Sequence, residues 1–177
     1  MGTKIANNTK HKQLEARAIA WLYKNGCDVF TTECRLPNGE VADALGVKRV
    51  RRPKKVVQED GSYRWEAQYS DSIYLIEAKA SRSDLICYKQ ALCYRRSVRK
   101  PLCDFYYLIV ASKVTVEDGL YPRWGVINEQ GIVVRKAKRM NKALRFRAAW
   151  YKDVVRLIAH SLVYRTFGKL YLQETRN

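Results

Sequence analysis

Two acids and a lysine in the first half of the chain are of the types that occur together at divalent-metal sites. Glu77-Ala78-Lys79 ends the apolar run 73–76, and side chains two positions apart on a strand lie on one face, so the Glu77 carboxylate and the Lys79 ammonium point the same way. A second acid, Asp43, lies upstream. Two carboxylates beside a lysine predict a divalent-metal site. In a chain of net charge +17, such a site is expected to hydrolyse a polyanion.

The triplet 77–79 has an ordinary alternative, since Glu and Lys alternate with apolar residues on many half-exposed strands. Its position favours a site. Four apolar or aromatic residues precede it, as expected of a strand buried on both faces. A charged pair just beyond such a strand lies at the end of a sheet, where ligand sites gather.

The composition is that of one folded domain. With 177 residues, 47% of them hydrophobic and 29% charged, the chain is long enough for its own core. It has no run of about 18 apolar residues and no signal-peptide pattern, which predicts no membrane partner and a cytoplasmic location. Its five cysteines form no CxxC pair and its two histidines, His11 and His160, lie far apart, which argues against a zinc site and a disulfide framework.

Positive charge is concentrated in two parts of the chain, the block 48–55 and the segment after residue 135. A charge run usually forms a solvated face. An excess of this size is typical of a nucleic-acid-binding protein, with an anionic membrane surface as the lesser alternative. We therefore predict a nucleic-acid partner, and DNA before RNA.

Hydrophobic periodicity and turn residues predict the elements that position these side chains. Up to residue 80 these are a helix over 10–25, strands over 29–36, 40–47 and 73–79, and a basic hairpin over 48–71. Ser81 and Asp84 form a capping box, whose side chains satisfy the first amides of a second helix that runs to about Val98. Three further strands are predicted over 105–110, 125–127 and 132–134.

The last part of the chain is predicted to be a long helix with a basic side. We divide the domain into a core over residues 1–140, with the hairpin as an insertion, and a basic helical extension over 141–177. The buried stripe predicted for the extension consists of Leu144, Ala148, Tyr151, Val155, Ile158 and Leu162.

The order helix, three strands, helix, strand, with Asp43 before the triplet 77–79, resembles the PD-(D/E)xK nuclease superfamily. The segments 42–43 and 76–84 are most similar to the MmcB-like DNA-repair nucleases within it. The resemblance implies an α/β fold with a restriction-endonuclease-like αβββαβ core, in which helices flank a mixed central sheet. The chain departs from the nominal motif in having Ala42 before Asp43, in its basic hairpin and in its long C-terminal helix.

The resemblance also assigns roles to individual residues. It implies that Mg²⁺ or Mn²⁺ is bound by Asp43, Glu77 and the backbone carbonyl of Ala78, and that Lys79 assists the attacking water. Glu15, on the first helix, matches the position of a further acid that many members direct toward the metal. The ordinary alternative for Glu15 is that an acid in the first turns of a helix interacts favourably with the helix dipole and has no catalytic role. Gln90 matches a residue near the scissile phosphate.

Together these features predict a Mg²⁺-dependent deoxyribonuclease that hydrolyses phosphodiester bonds in repair, recombination or mobile-element processing. One alternative is a non-catalytic nucleic-acid-binding or assembly protein on the same fold, and another is an RNA-binding protein that stacks bases on its tyrosines. A homodimer is possible, and no residue pattern marks its interface. The residues predicted to contact nucleic acid are Lys48, Arg49, Arg51, Arg52, Lys54, Lys55, Arg82, Lys89 and Arg96.

Overall fold

A mixed sheet of six strands, flanked by helices, forms the described part of the chain. The computed structural model describes residues 2–36, 39–87, 103–117, 119–140, 153–159 and 162, and of residues 2–7 it describes the backbone alone. The elements in chain order are α1 (Gly2–Lys24), β1 (Val29–Arg35), β2 (Val41–Val57), β3 (Tyr63–Lys79), the helical segment α2 over 82–87, β4 (Phe105–Val110), β5 (Gly125–Ile127), β6 (Val133–Arg135) and the helical segment α3 over 153–159.

The strands lie in the sheet in chain order, β1 to β6. The pairs β1–β2, β2–β3 and β5–β6 are antiparallel, whereas β3–β4 and β4–β5 are parallel. A parallel pair needs a crossover connection, and α2 lies in the connection between β3 and β4. The predicted α/β class with a mixed sheet is confirmed.

The inner part of β3 is buried on both faces, as its continuous apolar run predicts. Ile76 and Ala78 belong to a buried cluster that also contains Leu14, Ala18, Trp21 and Leu22 of α1. Ile73 and Leu75 belong to a second cluster, together with Val154 and Ile158 of α3. Because alternate residues of a strand point to opposite faces, α1 and α3 cover opposite sides of the sheet.

Helix α1 begins at Gly2, eight residues before the predicted start. Of the predicted stripe, Ile158 is buried and Val155 is half-buried in α3, whereas Leu162 is 45% exposed, so the prediction was wrong at Leu162. Val154, which the prediction did not include, is buried four residues before Ile158. The predicted Leu144, Ala148 and Tyr151 lie outside the described residues.

Within the described ranges, no helix combines the length and the apolar character that crossing a bilayer requires.

Beyond the sheet, β2 and β3 continue as a two-stranded ribbon. β1 pairs with β2 as far as Val47, and β4 pairs with β3 from Tyr74 onward. Ten further pairs, from Lys48–Ser72 to the end of the ribbon, join β2 and β3. We call residues 48–72 the arm. It corresponds to the predicted basic hairpin, and the two strands of the hairpin continue those of the core.

The close contact between β4 and β5 requires a glycine at position 125. A Cβ atom there would lie 2.1 Å from Cε1 of Tyr107 and 2.8 Å from the backbone nitrogen of Ala137. Tyr107 cannot move away easily, since its ring packs 4.8 Å from that of Trp21.

We therefore expect Gly125→Ala to destabilise the protein by about 3 kcal/mol, because overpacking a filled core forces side chains and backbone apart. For a chain of this size the loss corresponds to a melting temperature lower by about 6–12 °C. Gly119→Ala is the matched control, since a Cβ there meets nothing within 4 Å. Equal melting temperatures for the two variants would contradict the expectation.

Candidate active site

Asp43 is attached to the strand that carries the triplet 77–79. The β2–β3 register ends at the pair Ala44–Ile76, so Asp43 and Glu77 are the next residues along the two strands. The amide of Ala78 donates a hydrogen bond of 2.7 Å to Oδ2 of Asp43. The structure thus brings the two acids together where the β2–β3 ladder ends.

Lys79 lies beside Glu77 in the interior. Nζ of Lys79 is 3.3 Å from Oε2 of Glu77, and the two residues are only 5% and 6% exposed. The ammonium also lies 3.9 Å from Oδ1 of Asp84, at the start of α2. Ser81 Oγ accepts the Asp84 amide at 3.2 Å, which is the first half of the predicted capping box and fixes this turn of chain next to Lys79.

Helix α1 adds two side chains to the site. Glu15 is buried, and its Oε1 lies 3.2 Å from Nε2 of His11, one helical turn earlier. The same His11 nitrogen lies 3.4 Å from Oδ1 of Asp43. One potential ligand atom from each of His11, Glu15 and Asp43 lies within 4.8 Å of the others. The position predicted for Glu15 is therefore next to Asp43.

The surroundings push the pKa values of the two strand acids in opposite directions. Burial, and then the negative charge of Asp43, raise the pKa of Glu77 to about 8, against the opposing charge of Lys79. Burial alone would raise the pKa of Asp43, but hydrogen bonds from His11 and the Ala78 amide outweigh it and lower this pKa. The hydrogen bond to Asp43 raises the pKa of His11. Acids with separated pKa values are typical of sites that handle protons or cations.

The carbonyl of Ala78 faces the same side as its amide. The amide and carbonyl of one strand residue point toward the same neighbouring strand, and the Ala78 amide points to Asp43. The carbonyl of the next residue, Lys79, accepts the Ala111 amide on the β4 side. The Ala78 carbonyl is thus directed toward β2, as a ligand shared with Asp43 would be.

The cluster that could hold a metal ion consists of His11, Glu15 and Asp43. Carboxylate oxygens suit Mg²⁺ and Mn²⁺, whereas a histidine nitrogen suits transition metals, so the cluster does not specify one ion. Glu77, which was predicted to be a ligand together with Asp43, does not belong to this cluster.

His11 was missed by sequence reasoning, which considered the two histidines only in combination with the five cysteines. A usable signal was present: His11 and Glu15 are four residues apart on a predicted helix and so lie on one face. The spacing of His11 and Glu15 does not indicate that this face of α1 contacts Asp43 of β2.

The basic residues predicted to bind nucleic acid fall into two groups. Lys48 donates to the Asn25 carbonyl, Arg49 lies 3.4 Å from Asp71, and Arg82 lies 3.4 Å from Glu117. Lys89, Gln90 and Arg96 lie outside the described residues. The arm exposes the remaining four side chains, those of Arg51, Arg52, Lys54 and Lys55.

Comparison with protein-family models, with curated proteins and with solved structures finds no significant match to this chain.

Proposed function

We propose that this protein is a divalent-metal-dependent deoxyribonuclease of the PD-(D/E)xK type, which hydrolyses phosphodiester bonds. The observation that carries the proposal is the hydrogen bond of 2.7 Å by which Asp43 binds the central residue of Glu77-Ala78-Lys79. It joins an acid from one strand to an acid and a lysine of the next, which is the arrangement that the superfamily motif implies.

The order and pairing of the elements support a restriction-endonuclease-like core. Helix α1, strands β1, β2 and β3, the start of α2, and β4 follow one another in the chain, and α1 packs on β3. The candidate ligands lie near the start of β2 and at the end of β3. Glu15 reaches the same place from α1.

In the proposed reaction, Asp43, Glu77 and the Ala78 carbonyl would hold the cation, and Glu15 and His11 lie next to Asp43. A bound Mg²⁺ or Mn²⁺ would supply Lewis-acid polarisation of the phosphate and a lower pKa for coordinated water. The chain's own residues fix the geometry. Asp43 is oriented by the Ala78 amide, and Glu77 is oriented by its burial against Lys79.

Lys79 is suited to a phosphate group and the water that attacks it. Its ammonium is buried next to Glu77, so charge interactions there are stronger than on the surface. With the Glu77 carboxylate turned to a cation, the ammonium of Lys79 would remain to orient the attacking water by a hydrogen bond and to offset the charge on the pentavalent phosphate.

A metal-dependence assay tests the proposal. Purified protein is incubated with labelled single-stranded, duplex, nicked and branched DNA and with RNA, in Mg²⁺, Mn²⁺ or EDTA. The proposal expects cleavage of DNA in either metal and none in EDTA. Absence of cleavage on every substrate with both metals would contradict it.

The second candidate function is a nucleic-acid-binding or assembly protein without turnover. The arm favours this candidate independently of the acids, because it projects basic side chains away from the sheet. The same assay separates the two candidates, since a binder retains labelled DNA in a gel and leaves it intact.

The exposed charges of the arm predict strongly salt-dependent binding. Replacing Arg51, Arg52, Lys54 and Lys55 together by alanine is expected to reduce the slope of log K against log[salt] by about 3–4, since each phosphate contact on duplex DNA contributes about 0.9. Anisotropy titrations at several salt concentrations measure the slope. A quadruple replacement of exposed cations outside the arm, Lys24, Lys113, Arg123 and Lys136, is the matched control. A slope that the arm replacement leaves unchanged would refute this role.

A further inference from the structure

One face of the arm carries aromatic side chains that the proposed cleavage site does not use. On β3, Trp65 is 66% exposed and Tyr69 is 56% exposed, and Tyr63 is exposed two residues before Trp65. Because alternate residues of a strand share a face, the three rings lie on one side of the arm. An exposed patch of large aromatic side chains is a feature of interaction sites.

Basic side chains of β2 lie between these rings. The register pairs Arg51 with Tyr69 and Lys55 with Trp65, and opposite residues share a face. Nζ of Lys55 lies 3.4 Å from the centroid of the Tyr63 ring. The face therefore alternates π surfaces with positive charge, a combination complementary to bases joined by phosphates.

A shallow pocket lies beside the Trp65 ring on this face. Its volume is about 280 Å³, and it is lined by Arg51, Pro53, Trp65, Glu66 and Ala67.

The arm joins this aromatic face to the strand that carries the candidate active site. At about 3.4 Å per residue, Trp65 lies about 40 Å from Glu77 along β3. Between them, Ile73 and Leu75 lie on the same face of β3 and pack against α3, so a nucleic-acid strand bound on the aromatic face does not follow that face to Glu77. About 12 nucleotides of a stacked strand, at about 3.4 Å each, cover the distance from Trp65 to Glu77.

We propose that this face binds unpaired nucleotides of the substrate, with bases stacked on Trp65 and Tyr69 and phosphates beside Arg51 and Lys55. The inference rests on the proposed nuclease function and names its substrate class, a nucleic acid with a single-stranded segment. Duplex DNA is disfavoured because its base faces are covered by their neighbours in the stack. Bases of a single strand are open to aromatic side chains.

Fluorescence anisotropy in EDTA tests the inference without cleavage. The probes are labelled single strands of about 20 nucleotides, long enough to span the distance from Glu77 to Trp65, as DNA and as RNA, and the matching duplexes. Stacking contributes about 1–3 kcal/mol per base, so Trp65→Ala is expected to weaken single-strand binding about 5- to 150-fold. Trp65→Phe keeps a ring and is expected to restore most of the affinity. The DNA and RNA probes decide which strand the face prefers.

Tyr23→Ala is the matched control, because Tyr23 is 72% exposed on α1 and does not belong to the aromatic face of the arm. It is expected to leave the affinity for every probe unchanged, and Trp65→Ala is expected to change duplex binding less than about twofold, since the base faces of a duplex are covered. Equal losses on single strands and duplexes, or none on single strands, would overturn the inference. So would a change in sedimentation with unaltered nucleic-acid binding, which would assign the face to a second copy of the chain.

The outcomes also separate this inference from the proposed activity. If the protein binds single strands through Trp65 but cuts no substrate, the nuclease proposal is wrong and the stacking face stands. If it cuts with Mg²⁺ but Trp65→Ala leaves single-strand binding unchanged, the nuclease proposal stands and the stacking face is wrong.

Discussion

Asp43→Asn is expected to lower Mg²⁺-dependent cleavage by about 10³-fold while the protein stays folded and still binds nucleic acid, since removing one electrostatic stabiliser from an active site costs about 10²–10³-fold and this acid is also a proposed ligand. The asparagine keeps a side-chain oxygen that can accept the Ala78 amide, now bonded at 2.7 Å. What it loses is the negative charge. Initial cleavage rates at saturating metal, with binding measured separately in EDTA, give the effect.

Asp28→Asn provides a closely matched control. Oδ2 of Asp28 accepts the amide of Arg49 at 2.8 Å, so the same substitution at Asp28 also removes a charge and keeps a bond from a strand amide. Asp28 lies beside the first residue of β1, which pairs with Val47, whereas Asp43 lies near the other end of that strand pair. Equal losses in the two variants, or unchanged cleavage by Asp43→Asn, would contradict the assignment of Asp43.

Local patterns were sufficient to predict much of the sheet. The apolar run 73–76 is visible in sequence because a strand buried on both faces needs no polar position, and both clusters of the core use it. The hairpin was predictable because Glu59-Asp60-Gly61-Ser62 separates two strand-like segments, and Gly61 adopts a φ of +79° there. Both features depend on residues that are close in sequence.

Contacts between distant elements were not predictable in the same way. The approach of His11 to Asp43 depends on where α1 crosses the sheet, and no spacing within α1 fixes that crossing. The continuation of β2 and β3 into the arm depends on pairing between the two strands, since Pro53 and the surrounding charges have little preference for a strand. The hydrogen bond between Asp43 and Ala78 joins residues 35 positions apart, and no local pattern around the triplet 77–79 indicates it.

The affinity for Mg²⁺ is expected to rise about tenfold per pH unit from about pH 6 to about pH 8, and then to level off, because a carboxylate must lose its proton before it binds a metal. Burial and the charge of Asp43 raise the pKa of Glu77 to about 8, so below that pH the metal-free protein carries a proton on this side chain. Calorimetry in buffers of different ionisation enthalpy measures both the affinity and the release of about one proton at pH 6–7. In Glu77→Gln the position is neutral at every pH, so this part of the pH dependence and the proton release should disappear.

The proton on Glu77 also determines how the stability of the metal-free protein changes with pH. The pKa of Glu77 is above its ordinary value of 4.5 in the folded protein, so the folded state binds the proton more tightly than the unfolded state does. The metal-free protein should therefore lose this stabilisation as the pH rises from about 4.5 through about 8, while the stabilisation by excess Mg²⁺ should grow over the upper part of that range. The pH at which the Mg²⁺ affinity levels off and the pH at which the metal-free stability stops falling must then agree, because both equal the pKa of Glu77 in the folded protein. Values more than about one pH unit apart would show that Glu77 is not the group that exchanges its proton for the metal.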